Sequence, residues 1–158
     1  MSRRDAIRMT EAELATFIDQ TRVVTCATTG PAGRPHLMPL WFCVRDGRIA
    51  AWTYASAQKA RNLERLPQAT IQLEAGESYE ELRGVMQECD VEVIRDTDAV
   101  AAVGLDLTLR YAPGTTTADE APAELRAFIA QQAAKRVAMV FHPTRTVTWD
   151  HRKLGGAY

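Results

Sequence analysis

The chain has 158 residues, 46% of them hydrophobic, enough for one core, and a single domain spanning 1–158 is expected. A formal net charge of −1 leaves no electrostatic footprint for nucleic acid. No apolar run reaches bilayer length, and the opening MSRRDAIRMTEAEL turns polar where a leader's apolar stretch belongs, so neither a membrane partner nor secretion is expected.

In chain order, MTEAELATFIDQT reads as a short helix. Thr10 is its N-cap, Glu13 closes a capping box, and Leu14, Phe17 and Ile18 form one apolar stripe. RVVTCAT reads as a strand, TGPAGRP as a turn, and HLMPLWFCV as a second strand. The Asp-Gly pair of RDG marks a hairpin into a third strand, RIAAWTY. A helix follows and stops before Pro67. ATIQLEA and ELRGVMQECDVEVI are further strands, with Gly84 a bulge or a point of close approach. DTDAVAAVGLDLTLRY and APAELRAFIAQQAA are helices, joined by a loop, Ala112–Pro122, and RVAMVFHPTRTVTW closes the sheet. Antiparallel strands joined by hairpins, with helices added late, predict an α+β fold with a barrel-like sheet.

The second strand has two peculiarities. Pro39 sits in its middle, where a proline requires an edge or a bulge. Both of its faces are apolar: Leu37, Trp41 and Cys43 on one, Met38, Leu40, Phe42 and Val44 on the other. Two apolar faces need two covers. The core is one; a partner subunit or a flat apolar ligand is the other.

The stretch WTYASAQKARNLERLP carries the strongest site signal. Ser56 is placed to cap the helix, Leu63 and Leu66 to face the core, and Lys59 and Asn62 to share another face. A cation in the first turn opposes the helix dipole unless an anion sits nearby. Only Lys59, Lys135 and Lys153 among the 19 basic residues are lysine. Free amides, a hydroxyl, an ammonium and an amide side chain converging on one helix end can hold a phosphate. The competing reading is an ordinary surface helix with solvated cations.

Other residues carry weaker signals. Cys26, Cys43 and Cys89 form no CxxC pair and read as reduced and buried in a cytoplasmic protein; no metal site is expected. His36 reads as a surface histidine, Trp41 and Trp52 as core, and Tyr79, Glu80 and Glu81 as a solvated loop end. Arg83 reads as an ion-pair or interface residue. The tail WDHRKLGGAY is too rich in aromatic and charged residues for a fraying end, and reads as docked.

The stretches GRPHLMPLWFCVRDGRIAAWTYASAQKARNLERLPQATIQLEAG, YEELRGV and TWDHRKLGG, with S-x-x-K-x-x-N-L as the most specific element, resemble the pyridoxamine 5'-phosphate oxidase-like split-barrel proteins, on their flavin- and deazaflavin-dependent side. The resemblance implies an antiparallel FMN-binding split β-barrel with peripheral helices and a homodimer with two cofactor sites at the subunit interface. It puts Ser56, Lys59 and Asn62 at the cofactor phosphate, and Thr53, Tyr54 and Gln58 also among the cofactor-binding residues. Pro39, Leu40 and Trp41 would back the flavin-like ring, and Trp149 and Lys153 would reach the cofactor from the tail. The second strand lacks the basic residues that pyridoxamine-phosphate oxidases use for the flavin phosphate, and the tail lacks their arginine-bearing substrate motif, which argues against vitamin B6 chemistry. The pattern is closer to the subgroup using coenzyme F420, with FMN as the alternative.

The implied activity is hydride transfer between coenzyme F420 and a small conjugated substrate, with the cofactor carrying the chemistry. Tyr54 and His151 are candidate proton donors, beside solvent; no side chain is assigned as catalytic. The other class is a non-catalytic flavin- or haem-binding protein, for which His36, His142 and His151 are the available histidines. Substrate choice would lie in loops such as Ala112–Pro122.

Overall fold

The computed structural model describes residues 3–112, 114 and 117–155. Residues 113, 115 and 116 of the expected loop, and the Gly156 end of the tail, lie outside them. Two short helices, α1 (Arg3–Ala6) and α2 (Glu11–Gln20), precede β1 (Val24–Thr29), β2 (Pro35–Leu40), β3 (Cys43–Arg45) and β4 (Arg48–Tyr54). Then come α3 (Gln58–Arg65), β5 (Gln68–Ala75), β6 (Arg83–Ile94), α4 (Thr97–Tyr111), α5 (Ala123–Ala133) and β7 (Arg136–Asp150). Single 3₁₀ turns cover Tyr79–Glu81 and His151–Leu154.

All seven strands form one antiparallel sheet in the order β2-β1-β5-β6-β7-β4-β3. β2 and β3 are its opposite edges, yet only Trp41 and Phe42 separate them in the chain. Two residues span roughly 10 Å, so the sheet must curl until its edges nearly meet. They do not pair, which makes the barrel split. This is the expected α+β split-barrel fold.

Local chemistry accounts for the elements. Thr10 caps α2: its hydroxyl accepts from the Glu13 N–H at 3.2 Å, and the Glu13 carboxylate accepts from the Thr10 N–H at 2.7 Å. Asp46 (φ 48°) and Gly47 (φ 72°) make the tight turn from β3 to β4, as Asp-Gly pairs do. Pro39 lies in an edge strand, the position open to it. Gly84 is the point of close approach: a Cβ there would stand 2.3 Å from the Trp149 ring and 2.7 Å from the Leu73 carbonyl. The β6–β7 bulge falls elsewhere, at Glu88/Cys89.

Side chains alternate across the curled sheet. Val24 and Cys26 of β1, Ile49 and Ala51 of β4, Ile71 and Leu73 of β5 and Met139 and Phe141 of β7 fill the barrel, with Leu63 of α3 among them. On the outer face, α4 and α5 cover Ala50, Trp52 and Ala138 with Val100, Val103, Leu107 and Ala133. Gly104 makes room for Trp52; a Cβ there would lie 2.2 Å from the indole.

Three expectations are corrected. HLMPLWFCV is not one strand but breaks at Trp41–Phe42. There the Phe42 N–H donates to the Tyr111 hydroxyl at 3.1 Å, which in turn reaches the Arg22 carbonyl at 2.6 Å, while the Trp41 and Tyr111 rings stack 4.3 Å apart. A side chain from α4 thus takes the hydrogen bond that a strand neighbour would have made. Ser56 does not cap α3: the cap position is Ala57, without a side-chain bond, and Ser56 lies exposed in the preceding turn. Leu66 is exposed, because the chain leaves helical geometry at that residue; only Leu63 of the pair is in the core.

Candidate functional site

The inner faces of β1 and β4 end in polar residues where α3 crosses the barrel mouth. Thr28 follows Val24 and Cys26 on the inner face of β1, and Thr53 follows Ile49 and Ala51 on that of β4. From α3, Lys59 and Asn62 turn toward them. Lys59 Nζ donates to Thr53 Oγ1 at 3.2 Å, and Asn62 Nδ2 donates to Thr28 Oγ1 at 3.0 Å. Gln58 Nε2 closes the group by donating to Asn62 Oδ1 at 2.8 Å. Asn62 is wholly buried and Lys59 only 9% exposed.

The electrostatics of Lys59 are unusual. Among the described residues it has no carboxylate at ion-pair distance; a threonine hydroxyl is its one hydrogen-bond partner. Burial pulls its ammonium below the ordinary lysine range, since desolvation penalises the charged form. Burial likewise pushes the neighbouring Cys26 thiol up to about 11, against the pull of Lys59. Buried lysines are normally paired. A partly desolvated cation with spare donors, beside a buried amide and two hydroxyls, has the chemistry to receive an anion.

The second strand supplies the site's outer wall. Its register on β1 pairs His36 with Thr28, Met38 with Cys26 and Leu40 with Val24, so these side chains share the inner face. Leu37 and Pro39 take the opposite face. Leu37 (58%), Met38 (40%) and Trp41 (57%) are notably exposed for apolar side chains. Trp41 is therefore not the core residue expected: it lies outside the core, at the break between β2 and β3, stacked on Tyr111.

One chain does not assemble every candidate residue. Tyr54 lies on the face of β4 opposite Thr53, its ring under the Arg136 guanidinium at 4.2 Å. Trp149 sits against Gly84 at the far end of β7 from Val137, the register partner of Thr53, after up to about 40 Å of strand. Beyond it, Lys153 is committed to the N-terminal segment, at 2.6 Å from the Glu13 carboxylate and 2.7 Å from the Arg8 carbonyl. His151 bonds the Tyr79 carbonyl through Nδ1 at 2.9 Å. The described part of the tail, residues 149–155, is docked, as expected, on its own chain. Arg83 lies over the Phe17 ring at 5.2 Å and helps Arg152 hold the Asp150 carboxyl below its usual range. Thr28 and His36 were not among the expected site residues; the period-two pattern Val24, Cys26, Thr28 is the signal that points to the first.

A family model described as pyridoxamine 5'-phosphate oxidase matches residues 10–150. The chain belongs to the pyridoxamine 5'-phosphate oxidase family. The fold likeness extends over the whole chain: a conserved hypothetical protein, Rv2991, from Mycobacterium tuberculosis is 39% identical, with TM-score 0.88 over 100% of this chain and 95% of that one. An F420 reductase superposes at TM-score 0.58 and 23% identity over 83% of this chain and 93% of its own. HutZ, a haem storage protein from Vibrio cholerae, does so at 0.66 and 19%, over 87% and 94%. No functionally curated protein matches the sequence. Proteins sharing this fold thus include one named as a reductase and one named as a haem storage protein. Among the described residues of this member, no helix is long and apolar enough to cross a membrane, and no cluster of metal-ligating side chains occurs.

Proposed function

We propose that this member binds a phosphorylated flavin-type cofactor at the barrel mouth beneath α3 and acts as a cytoplasmic oxidoreductase, with coenzyme F420 as the cofactor. The observation that carries the reading is the buried ammonium of Lys59, resting on Thr53 with no carboxylate to neutralise it. The donor set fits such a group. Lys59 and the polar residues around it suit a phosphate, and the inner rail of β2 runs from His36 through Met38 to Leu40, polar to apolar, as the cofactor runs from phosphate to ring. FMN is the second reading, since it shares the phosphorylated ribityl chain. F420 is preferred because β2 offers no lysine or arginine to the phosphate end.

When bound and reduced, the deazaflavin supplies a hydride to a small conjugated, electron-poor substrate. The chain's own contribution is binding and orientation. Lys59, held by Thr53, neutralises the phosphate; Asn62, locked between Gln58 and Thr28, keeps α3 aligned over it. Ser56, exposed beside the first turn, adds a hydroxyl within the same neighbourhood. Leu40 and Trp41 shield the ring from water. Tyr54 and His151 lie away from this cluster, so solvent is the simplest proton source.

A homodimer completes the proposal. Trp149 and Lys153 are remote from Lys59 within one chain, so a site using both sets needs two copies, and the exposed Leu37, Met38 and Trp41 offer the apolar surface to join them. The test is titration with F420, FMN, FAD and haem, following tryptophan quenching, with sedimentation of the same samples. Saturable F420 binding by a species of twice 17.5 kDa is expected. Tight binding of haem alone would overturn the reading in favour of a haem carrier.

A further inference from the structure

His36 is half-buried, and its Nδ1 is buried without a hydrogen-bond partner, one of two such side-chain atoms among the described residues. The other, Arg110 Nε, belongs to a guanidinium whose Nη2 already donates to the carbonyls of Ile18, Asp19 and Thr21 and whose Nη1 donates to the Asp19 carboxylate. His36 Nδ1 has no such explanation. An unpaired buried polar atom costs about 1–3 kcal/mol, so one that a structure retains calls for an explanation.

Its position says what that something is. His36 is the direct cross-strand neighbour of Thr28 on the inner face, and side chains so paired stand about 5 Å apart at their Cβ atoms. Thr28 Oγ1 already accepts from Asn62, one helical turn from Lys59. The imidazole therefore borders the same polar group as the lysine ammonium, approached from β2 rather than from α3. A neutral or charged imidazole with a proton on Nδ1 is a donor, and the group it borders holds no anion for Lys59, whose one acceptor is the Thr53 hydroxyl.

We propose that His36 is a further ligand-contacting residue of this site, its Nδ1–H donating to a phosphate oxygen of the bound cofactor. The proposal rests on the reading of the site given above. It adds a contact from the edge strand, so that the phosphate is held from two sides of the split.

Three variants test it, with F420 affinity as the readout. Asparagine can place an amide N–H near the Nδ1 position, and glutamine near Nε2. His36→Ala and His36→Gln should each weaken F420 binding by about tenfold, the scale of one hydrogen bond to a charged group, while His36→Asn should stay within about threefold of wild type. The unliganded His36→Ala protein should melt at or above the wild-type temperature, since an unpaired polar atom is removed. In ¹⁵N spectra of the wild type, the Nδ1 resonance of His36 should move on adding F420. Wild-type affinity in His36→Ala, or rescue by glutamine and not asparagine, would overturn the proposal. If Lys59→Ala loses affinity while His36→Ala does not, this inference alone fails; if the wild type binds neither F420 nor FMN, it falls together with the reading of the site.

Discussion

The Nζ of Lys59 rests 3.2 Å from the hydroxyl of Thr53. A hydroxyl solvates an ammonium but leaves its charge intact, so in the free protein the helix that positions Lys59 carries an uncompensated cation into the barrel mouth. Charge, burial and position then pull in different directions, and the anion proposed for this site would reconcile them.

Replacing Lys59 separates these effects. Lys59→Met keeps the length and apolar stem but deletes the charge. It should weaken F420 binding by about 1.5–3 kcal/mol, the range for a hydrogen bond to a charged group, while raising the stability of the unliganded protein. Because burial lowers the folded-state value, the charged form is disfavoured in the fold, and wild-type stability should rise as pH climbs through that value toward the ordinary 10.5. The gap between Lys59→Met and wild type should therefore be widest at neutral pH and narrow in alkali. Thermal melts across pH, with isothermal titration, check both halves; lower stability of the free variant at neutral pH would make Lys59 a structural residue.

Gly104→Ala should destabilise the fold although alanine is the better helix former. The propensity gain is about 1 kcal/mol. Against it, a Cβ 2.2 Å from the indole of Trp52 displaces a ring that also packs under the Arg136 guanidinium at 4.7 Å. Overpacking of this kind costs about 1–3 kcal/mol, and the clash should win. Urea unfolding measures it, and adding Trp52→Leu to Gly104→Ala should recover the loss.

The side-chain carboxylate of Asp150, at the end of β7, carries an acid-sensitive part of the stability. It is buried and accepts from Arg152 at Nε (2.8 Å), Nη2 (2.6 Å) and the backbone N–H (3.1 Å), and these bonds hold its carboxyl below the ordinary range. A lowered folded-state value means stability that is present above the unfolded value of 3.8 and lost as pH falls through the folded one. Asp150→Asn should cost about 1 kcal/mol at pH 7, modest because half of Arg152 is in solvent. The cost should shrink as pH falls below 3.8 and through the lowered folded value, where the wild-type carboxyl takes up its proton. Melts of both proteins from pH 7 downward decide it.

How much of this was legible in the sequence depends on the range of the interaction concerned. The Thr10–Glu13 box, the Asp46-Gly47 turn and the edge position of Pro39 each follow from neighbours a few residues apart, and all three read correctly. The break at Trp41–Phe42 did not, because its cause, the hydroxyl of Tyr111, arrives from a helix far along the chain, and the local apolar run gives no hint of it. Lys59 and Asn62 were legible as a pair by helical spacing. Their partners Thr53 and Thr28 come from two strands brought together by the curl, and His36 enters only through the register of β2 on β1. Ser56 misled because serine is a common cap; here the helix starts one residue later than that rule implies.

The three thiols should be chemically silent in the folded state. Burial pushes Cys26 and Cys43 up to about 11 and Cys89 up to about 12, so almost none is thiolate at pH 8. A thiol-reactive dye should label none of them within the lifetime of the native fold and all of them in urea. Rapid labelling of Cys26 in the native protein would mean that the barrel mouth opens beside Lys59.

Pro35 and Pro39 lie four residues apart in β2, so their nitrogens face the same side of the strand. A proline turned toward β1 would delete a rung of the ladder; both are accommodated with the nitrogen toward the open edge. That edge consequently has gaps where an incoming strand would seek amide protons. The chain can thus expose Leu37 and Met38 along its rim for side-chain docking and still be a poor template for the backbone-to-backbone zippering that drives β-aggregation.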